Sequence, residues 1–108
     1  MDIEITVAEA ADRLARGERL RWLDVRESWE YELVHLPDAA LLPLGLLPER
    51  LAELAQTPEA EIICYCHSGM RSLTAADWLR RAGVARARSL AGGIDQWARE
   101  IDPSLPRY

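Results

Sequence analysis

The chain has 108 residues, 49% hydrophobic and 29% charged, with a formal net charge of −5, a size and balance that fit one globular domain over 1–108 and exclude a disordered chain. The acidic balance argues against a nucleic-acid partner, because neutralising phosphates needs a basic face. No apolar run is long enough to span a bilayer, and the acidic start Met1-Asp2-Ile3-Glu4 lacks the basic-then-apolar form of a secretory signal, so a cytoplasmic protein without a membrane partner is expected.

Ile3-Glu4-Ile5 alternates and predicts a short strand. Thr6 and Glu9 have the spacing of a capping box, which starts a helix running to about Arg16, with Gly17 as its stop. Leu20 to Val25 predicts a second strand, and Ser28 is expected to cap a short helix reaching Val34. Ala39 to Leu42 predicts a third strand closed by Pro43, and Leu51, Leu54 and Ala55 give 48–55 helical spacing. Ile62 to Tyr65 is a continuous apolar run, expected to be a strand buried on both faces. Over 72–82, Ala75, Ala76, Trp78, Leu79 and Ala82 fall on one side of a helix and Asp77, Arg80 and Arg81 on the other, with Gly83 ending it. Arg88 to Leu90 and Ile94 to Glu100 supply a last strand and a last helix. This alternation implies an α/β fold whose mostly parallel sheet is covered by helices.

The two cysteines, Cys64 and Cys66, have one residue between them. A disulfide between them would close almost no loop, and two Cys with two His give poor support for a four-ligand zinc site. No metal is therefore expected, and the pair reads as one reactive thiol and one buried one. In Ile62 to Ser72 an apolar strand ends at a cysteine, a glycine-containing loop follows, and a helix begins at about Ser72. Ligands of open α/β sheets bind beyond the carboxyl ends of the strands. A loop entering a helix there turns several amides toward one point, and the helix end adds partial positive charge. A cysteine so placed is expected to be largely thiolate. A lone cysteine is more often buried and inert. That reading holds for Cys64, inside its strand, and the loop reverses it for Cys66.

Several motifs then resemble the rhodanese family. Asp24-Val25-Arg26 is similar to the motif that opens these domains, and Glu30-Tyr31 and His35-Leu36-Pro37 to the stretch that follows. Cys66-His67-Ser68-Gly69-Met70-Arg71-Ser72 resembles the family's active-site loop, and Gly92-Gly93 with Trp97 its closing motif. The tail 102–108 is similar to the end of stand-alone bacterial rhodaneses and of rhodanese domains fused to adenylyltransferases. Val34 and Asp38 stand where the family has glycines, and Leu41 where it has asparagine.

The resemblance implies a rhodanese-like α/β fold, with a parallel sheet of about five strands and helices on both faces. It implies a sulfurtransferase in which Cys66 takes sulfur as a persulfide from thiosulfate or a similar donor. A thiol, cyanide or a sulfur-carrier protein would then accept it, without a cofactor. The amides of residues 67 to 71 would cradle the outer sulfur. Ser72 would donate to the thiolate and cap the helix, Arg71 and His67 would add positive charge, and His67, Ser68 and Met70 would form the rim. Asp24 and Arg26 are expected to be a supporting ion pair rather than reacting groups, and His35 a packing residue. Two other readings compete. One is a non-catalytic binding module. The other is a cysteine phosphatase or arsenate reductase, whose loop between Cys and Arg is one residue longer than His67 to Met70.

Overall fold

The computed structural model describes residues 2–108. In chain order the elements are β1 (Glu4–Ile5), α1 (Val7–Ala15), β2 (Trp22–Asp24), α2 (Ser28–Leu33), β3 (Ala40–Leu41), a 3-10 segment (Leu44–Arg50), α3 (Leu51–Leu54), β4 (Ile62–Tyr65), α4 (Met70–Arg81), β5 (Ala87–Leu90) and α5 (Gly93–Glu100). The strands form one five-stranded sheet in the order β1-β5-β4-β2-β3, and every pairing is parallel. Among the described residues no helix is long and apolar enough to cross a membrane.

Strand β4 lies at the centre, and its alternation builds both layers of the core. Ile62, Cys64 and, just beyond the strand, Cys66 face a layer with Leu23, Val25, Ala75, Ala76 and Leu79. Ile63 and Tyr65 face the other, with Trp22, Leu90, Ile94 and Trp97. Helix α4 closes the first layer and helices α1 and α5 the second, through Val7, Ala10, Ile94 and Trp97. In the register Leu23 stands opposite Cys64, and Asp24 opposite Tyr65. The carboxyl ends of β2 and β4 therefore finish side by side, which brings Arg26 and Cys66 to one edge.

Local signals explain most boundaries. The capping box forms as the spacing predicts: the Glu9 amide donates to Thr6 Oγ1 at 3.0 Å, and the Thr6 amide to Glu9 Oε1 at 3.3 Å. Three expectations need correction. Glu27, not Ser28, occupies the N-cap of α2, because its backbone is still extended while Ser28 is already helical. The stretch around Pro48 opens as a 3-10 segment, and only Leu51–Leu54 is α-helical. Pro48 has no N–H to offer an α-helical ladder. Helix α4 starts at Met70, two residues early, because Gly69 takes the N-cap at φ 111°. Ser72 is therefore the third residue of the helix and not its cap.

The two replaced glycines differ. Val34 has an extended backbone at φ −164° that any residue adopts. Asp38 holds φ 64°, the left-handed conformation that favours glycine.

Candidate active site

The loop after β4 wraps around the Cys66 sulfur. Sγ accepts from the Gly69 amide at 3.1 Å and the Ser72 amide at 3.4 Å. The first amides of a helix have no partner within it, and that of Ser72, in the first turn of α4, is directed at the sulfur. The amides that reach Sγ itself are those of Gly69 and Ser72. Together with the helix end they place partial positive charge where an anionic sulfur would sit.

Ser72 does more than supply an amide. Its Oγ lies 3.5 Å from Cys66 Sγ, donates to the Gly69 carbonyl at 3.2 Å, and meets Ser89 Oγ at 2.7 Å. Ser72 and Ser89 are both fully buried. Ser89, on β5, was not among the site residues expected from sequence. The signal for it is a serine in a short strand, between Arg88 and Leu90 and three residues before Gly92-Gly93.

Gly92-Gly93 forms the floor of the loop. The Ile94 amide donates to the Cys66 carbonyl at 2.9 Å, and the Asp95 amide to the His67 carbonyl at 3.0 Å. The first turn of α5 thus holds the loop from below. A Cβ on Gly93 would overlap both of those carbonyl groups, and its φ is 61°. Only glycine fits there without displacing the loop.

Cys66 has 1% of its surface exposed. The side chain turns inward to the amides that receive it. The rim is exposed instead: Ser68 and Met70 lie at the surface, and His67 is half-buried. His67 Nδ1 is itself buried and has no hydrogen-bond partner. Cys64 is fully buried one strand step below, and burial, followed by the neighbouring Cys66, pushes its thiol up to about 12. Both cysteines are free thiols.

Arg71 does not reach over the sulfur as an isolated cation. Its guanidinium grips Glu30 with two bonds, Nη1 to Oε1 at 2.7 Å and Nη2 to Oε2 at 3.0 Å. Glu30 also accepts from the Glu27 amide at 3.0 Å and the Tyr108 hydroxyl at 2.6 Å. Burial alone would raise the Glu30 carboxyl, yet Arg71, Tyr108 and the Glu27 backbone hold it at about 2. The Arg71 guanidinium is raised in turn, first by its bonds to Glu30, with burial opposing.

Asp24 and Arg26 form a fully buried ion pair at the end of β2. Arg26 Nε and Nη2 donate to the two Asp24 carboxylate oxygens at 2.9 and 2.7 Å, and Nη2 also to the Val34 carbonyl at 2.6 Å. Tyr65 donates its hydroxyl to Asp24 at 2.8 Å and accepts the Leu36 amide at 3.1 Å. The pair ties β2, β4 and the segment after α2 together. His35 is exposed, yet its ring packs on Tyr31 at 3.9 Å between centroids and its Nδ1 meets the Tyr31 carbonyl at 2.9 Å, a satisfied packing role at the surface. Among the described residues no cluster of His, Cys, Asp or Glu is suited to a metal. A separate cavity of about 790 Å³, lined by Leu20, Trp22, Leu36, Trp97 and Ile101 among others, includes no residue of the Cys66 loop.

With this geometry in hand, the chain matches the rhodanese-like domain family over residues 6–100. It is 38% identical over 106 residues to the probable adenylyltransferase/sulfurtransferase MoeZ of Mycobacterium tuberculosis, covering 96% of this chain and 26% of that protein. The chain thus spans about a quarter of that relative's length. It is 36% identical over 96 residues to a sulfurtransferase of Allochromatium vinosum, covering 89% of this chain and 88% of the relative. Among solved structures, the human single-domain sulfurtransferase TSTD1 superimposes with a TM-score of 0.80 at 27% identity, over 93% of this chain and 98% of that one.

Proposed function

Because the chain belongs to the rhodanese-like domain family, we propose that it is a sulfurtransferase carrying sulfane sulfur on Cys66. The observation that carries this reading is the convergence of the Gly69 and Ser72 amides on Cys66 Sγ at the start of α4.

The reaction is a double displacement. The Cys66 thiolate attacks the outer sulfur of thiosulfate. An Sγ–S bond forms, the S–S bond of the donor breaks, and sulfite leaves with its electron pair. The persulfide on Cys66 keeps the negative charge, and the amides and helix end that stabilise the thiolate serve it as well. A nucleophilic acceptor then attacks the outer sulfur, the Sγ–S bond breaks, and the thiolate returns. Neither step needs an external oxidant, reductant or cofactor. Ser72 Oγ, within reach of both Cys66 and Ser89, supplies a hydroxyl that turns toward the sulfur when it is anionic.

Cyanide or a small thiol would serve as an acceptor in solution. The MoeZ relative, with its adenylyltransferase portion, and a Bacillus subtilis relative described as a putative sulfur carrier protein, YrkF, favour a sulfur-carrier protein as the acceptor in the cell. Two free thiols suit a reducing, cytoplasmic setting. The phosphatase reading is disfavoured because Arg71 is held on Glu30 rather than free to clasp a phosphoryl oxygen. The non-catalytic reading is disfavoured because the loop keeps its cysteine and its amide cradle.

The test is steady-state transfer from thiosulfate to cyanide. Wild type is expected to turn over and Cys66→Ser to be inactive while folded. Turnover in Cys66→Ser comparable to wild type contradicts the assignment, as would hydrolysis of an aryl phosphate without sulfur transfer.

A further inference from the structure

Tyr108 lies beyond residues 6–100, the stretch matched by the family, yet its side chain ends at the site. We propose that Tyr108 is a positioning residue of the Cys66 site: its hydroxyl fixes the Glu30 carboxylate that holds Arg71, and its ring fixes His67. This rests on the reading of Cys66 as the reactive thiol.

The hydroxyl bridges two buried charges. It accepts from Arg26 Nη1 at 2.8 Å and donates to Glu30 Oε2 at 2.6 Å. Arg26 directs its other guanidinium nitrogens to Asp24 and Val34, so Tyr108 completes its hydrogen bonding. On Glu30, the oxygen that takes the hydroxyl is the one that takes Arg71 Nη2. One phenol thus links the ion pair at the end of β2 to the arginine of the loop. The ring packs 4.5 Å from the His67 ring and 5.9 Å from Trp29, centroid to centroid, with the Arg26 guanidinium 5.7 Å away. His67 and Arg71 are both loop residues flanking the thiol, and Tyr108 touches the first directly and the second through Glu30. Burial, then the bond to Glu30, pushes the Tyr108 phenol up to about 12, so it remains a donor at neutral pH.

A tail that merely anchors the fold would alter stability alone. A positioning residue alters how Cys66 meets an anionic reagent, and it does so through Arg71. The experiment compares Tyr108→Phe, Arg71→Met and the double variant. It measures kcat and KM for thiosulfate, and the ratio of Cys66 alkylation rates with iodoacetate (anionic) and iodoacetamide (neutral). Tyr108→Phe keeps the ring and removes only the hydroxyl. We expect kcat/KM to fall by roughly tenfold, mainly through KM, as for one lost charge-assisted hydrogen bond. The iodoacetate-to-iodoacetamide ratio should fall with it, and in the Arg71→Met background the same change should add little to either loss. A Tyr108→Phe protein with both quantities at the wild-type level overturns the proposal. So does a loss of equal size in the Arg71→Met background, which would show that Tyr108 acts by another route. Absence of thiosulfate turnover in wild type would instead count against the sulfur-transfer reading, and the alkylation ratio would still decide the role of Tyr108.

Discussion

At the residue scale, the two cysteines show how environment separates chemically identical groups. Both belong to the same buried layer, one strand step apart. Cys66 ends against two amides, while Cys64 has only burial and a neighbouring sulfur around it, and its thiol is pushed up to about 12. Cys64→Ala is therefore expected to keep most transfer activity and to lose stability by about 1–2 kcal/mol, the cost of a small cavity. Loss of transfer in a folded Cys64→Ala protein would give Cys64 a part in the chemistry.

Glu30 supplies a pH prediction. Its carboxyl is held at about 2 in the fold against an ordinary 4.5. A depressed carboxyl stabilises the fold above its unfolded value and loses that contribution as pH falls through the folded one. The stability gap between wild type and Glu30→Gln, read by urea unfolding, should therefore be full above about pH 4.5 and narrow toward pH 2. A gap that stays constant over that window would refute the ion pair as its source.

At the scale of elements, the candidate site is the meeting of two helix starts. Helix α4 presents its first-turn amides to the sulfur, and α5 presents its own to the carbonyls of Cys66 and His67. Gly93 makes the second contact possible. Gly93→Ala should destabilise the fold by more than about 1 kcal/mol, through its left-handed backbone and the overlap with the loop, and should also slow sulfur transfer. A Gly93→Ala protein with parental stability and rate would contradict that packing.

Much of this was legible in the sequence. Apolar runs and capping signals placed every strand and helix to within a few residues, because those signals are local: Thr6 and Glu9 at one helix start, the unbroken Ile62 to Tyr65 run in the central strand. The errors were local as well. Gly69 could begin α4 early because a left-handed glycine serves as an N-cap, a choice that depends on the loop path. Spacing says nothing of long-range partners. Arg71 was expected to act as a charge near the thiol, and its pairing with Glu30 spans 41 positions. Ser89 and Tyr108 reach the site from 17 positions beyond Ser72 and 78 beyond Glu30.

At the scale of the whole molecule, the site's edge of the sheet is held by one polar network, buried at Tyr65, Asp24, Arg26 and Glu30 and reaching the surface at Tyr108 and Arg71. Removing either member of the Asp24–Arg26 pair leaves a buried charge without its partner. Arg26→Met should cost about 3–5 kcal/mol, the scale for breaking a buried pair, and a change below about 1 kcal/mol in urea unfolding would show that the network does not hold the edge. The same network brings residues as far apart in sequence as Asp24 and Tyr108 to one side of the thiol.

In the proposed reaction this thiol carries the sulfur. The most direct measurement is the mass of the intact protein after brief exposure to thiosulfate and removal of excess donor. Wild type should gain the mass of one sulfur atom, mapped by peptide analysis to Cys66 and lost on adding cyanide, and Cys66→Ser should gain nothing. Sulfur found on Cys64, or no added mass in the wild-type protein, would contradict it.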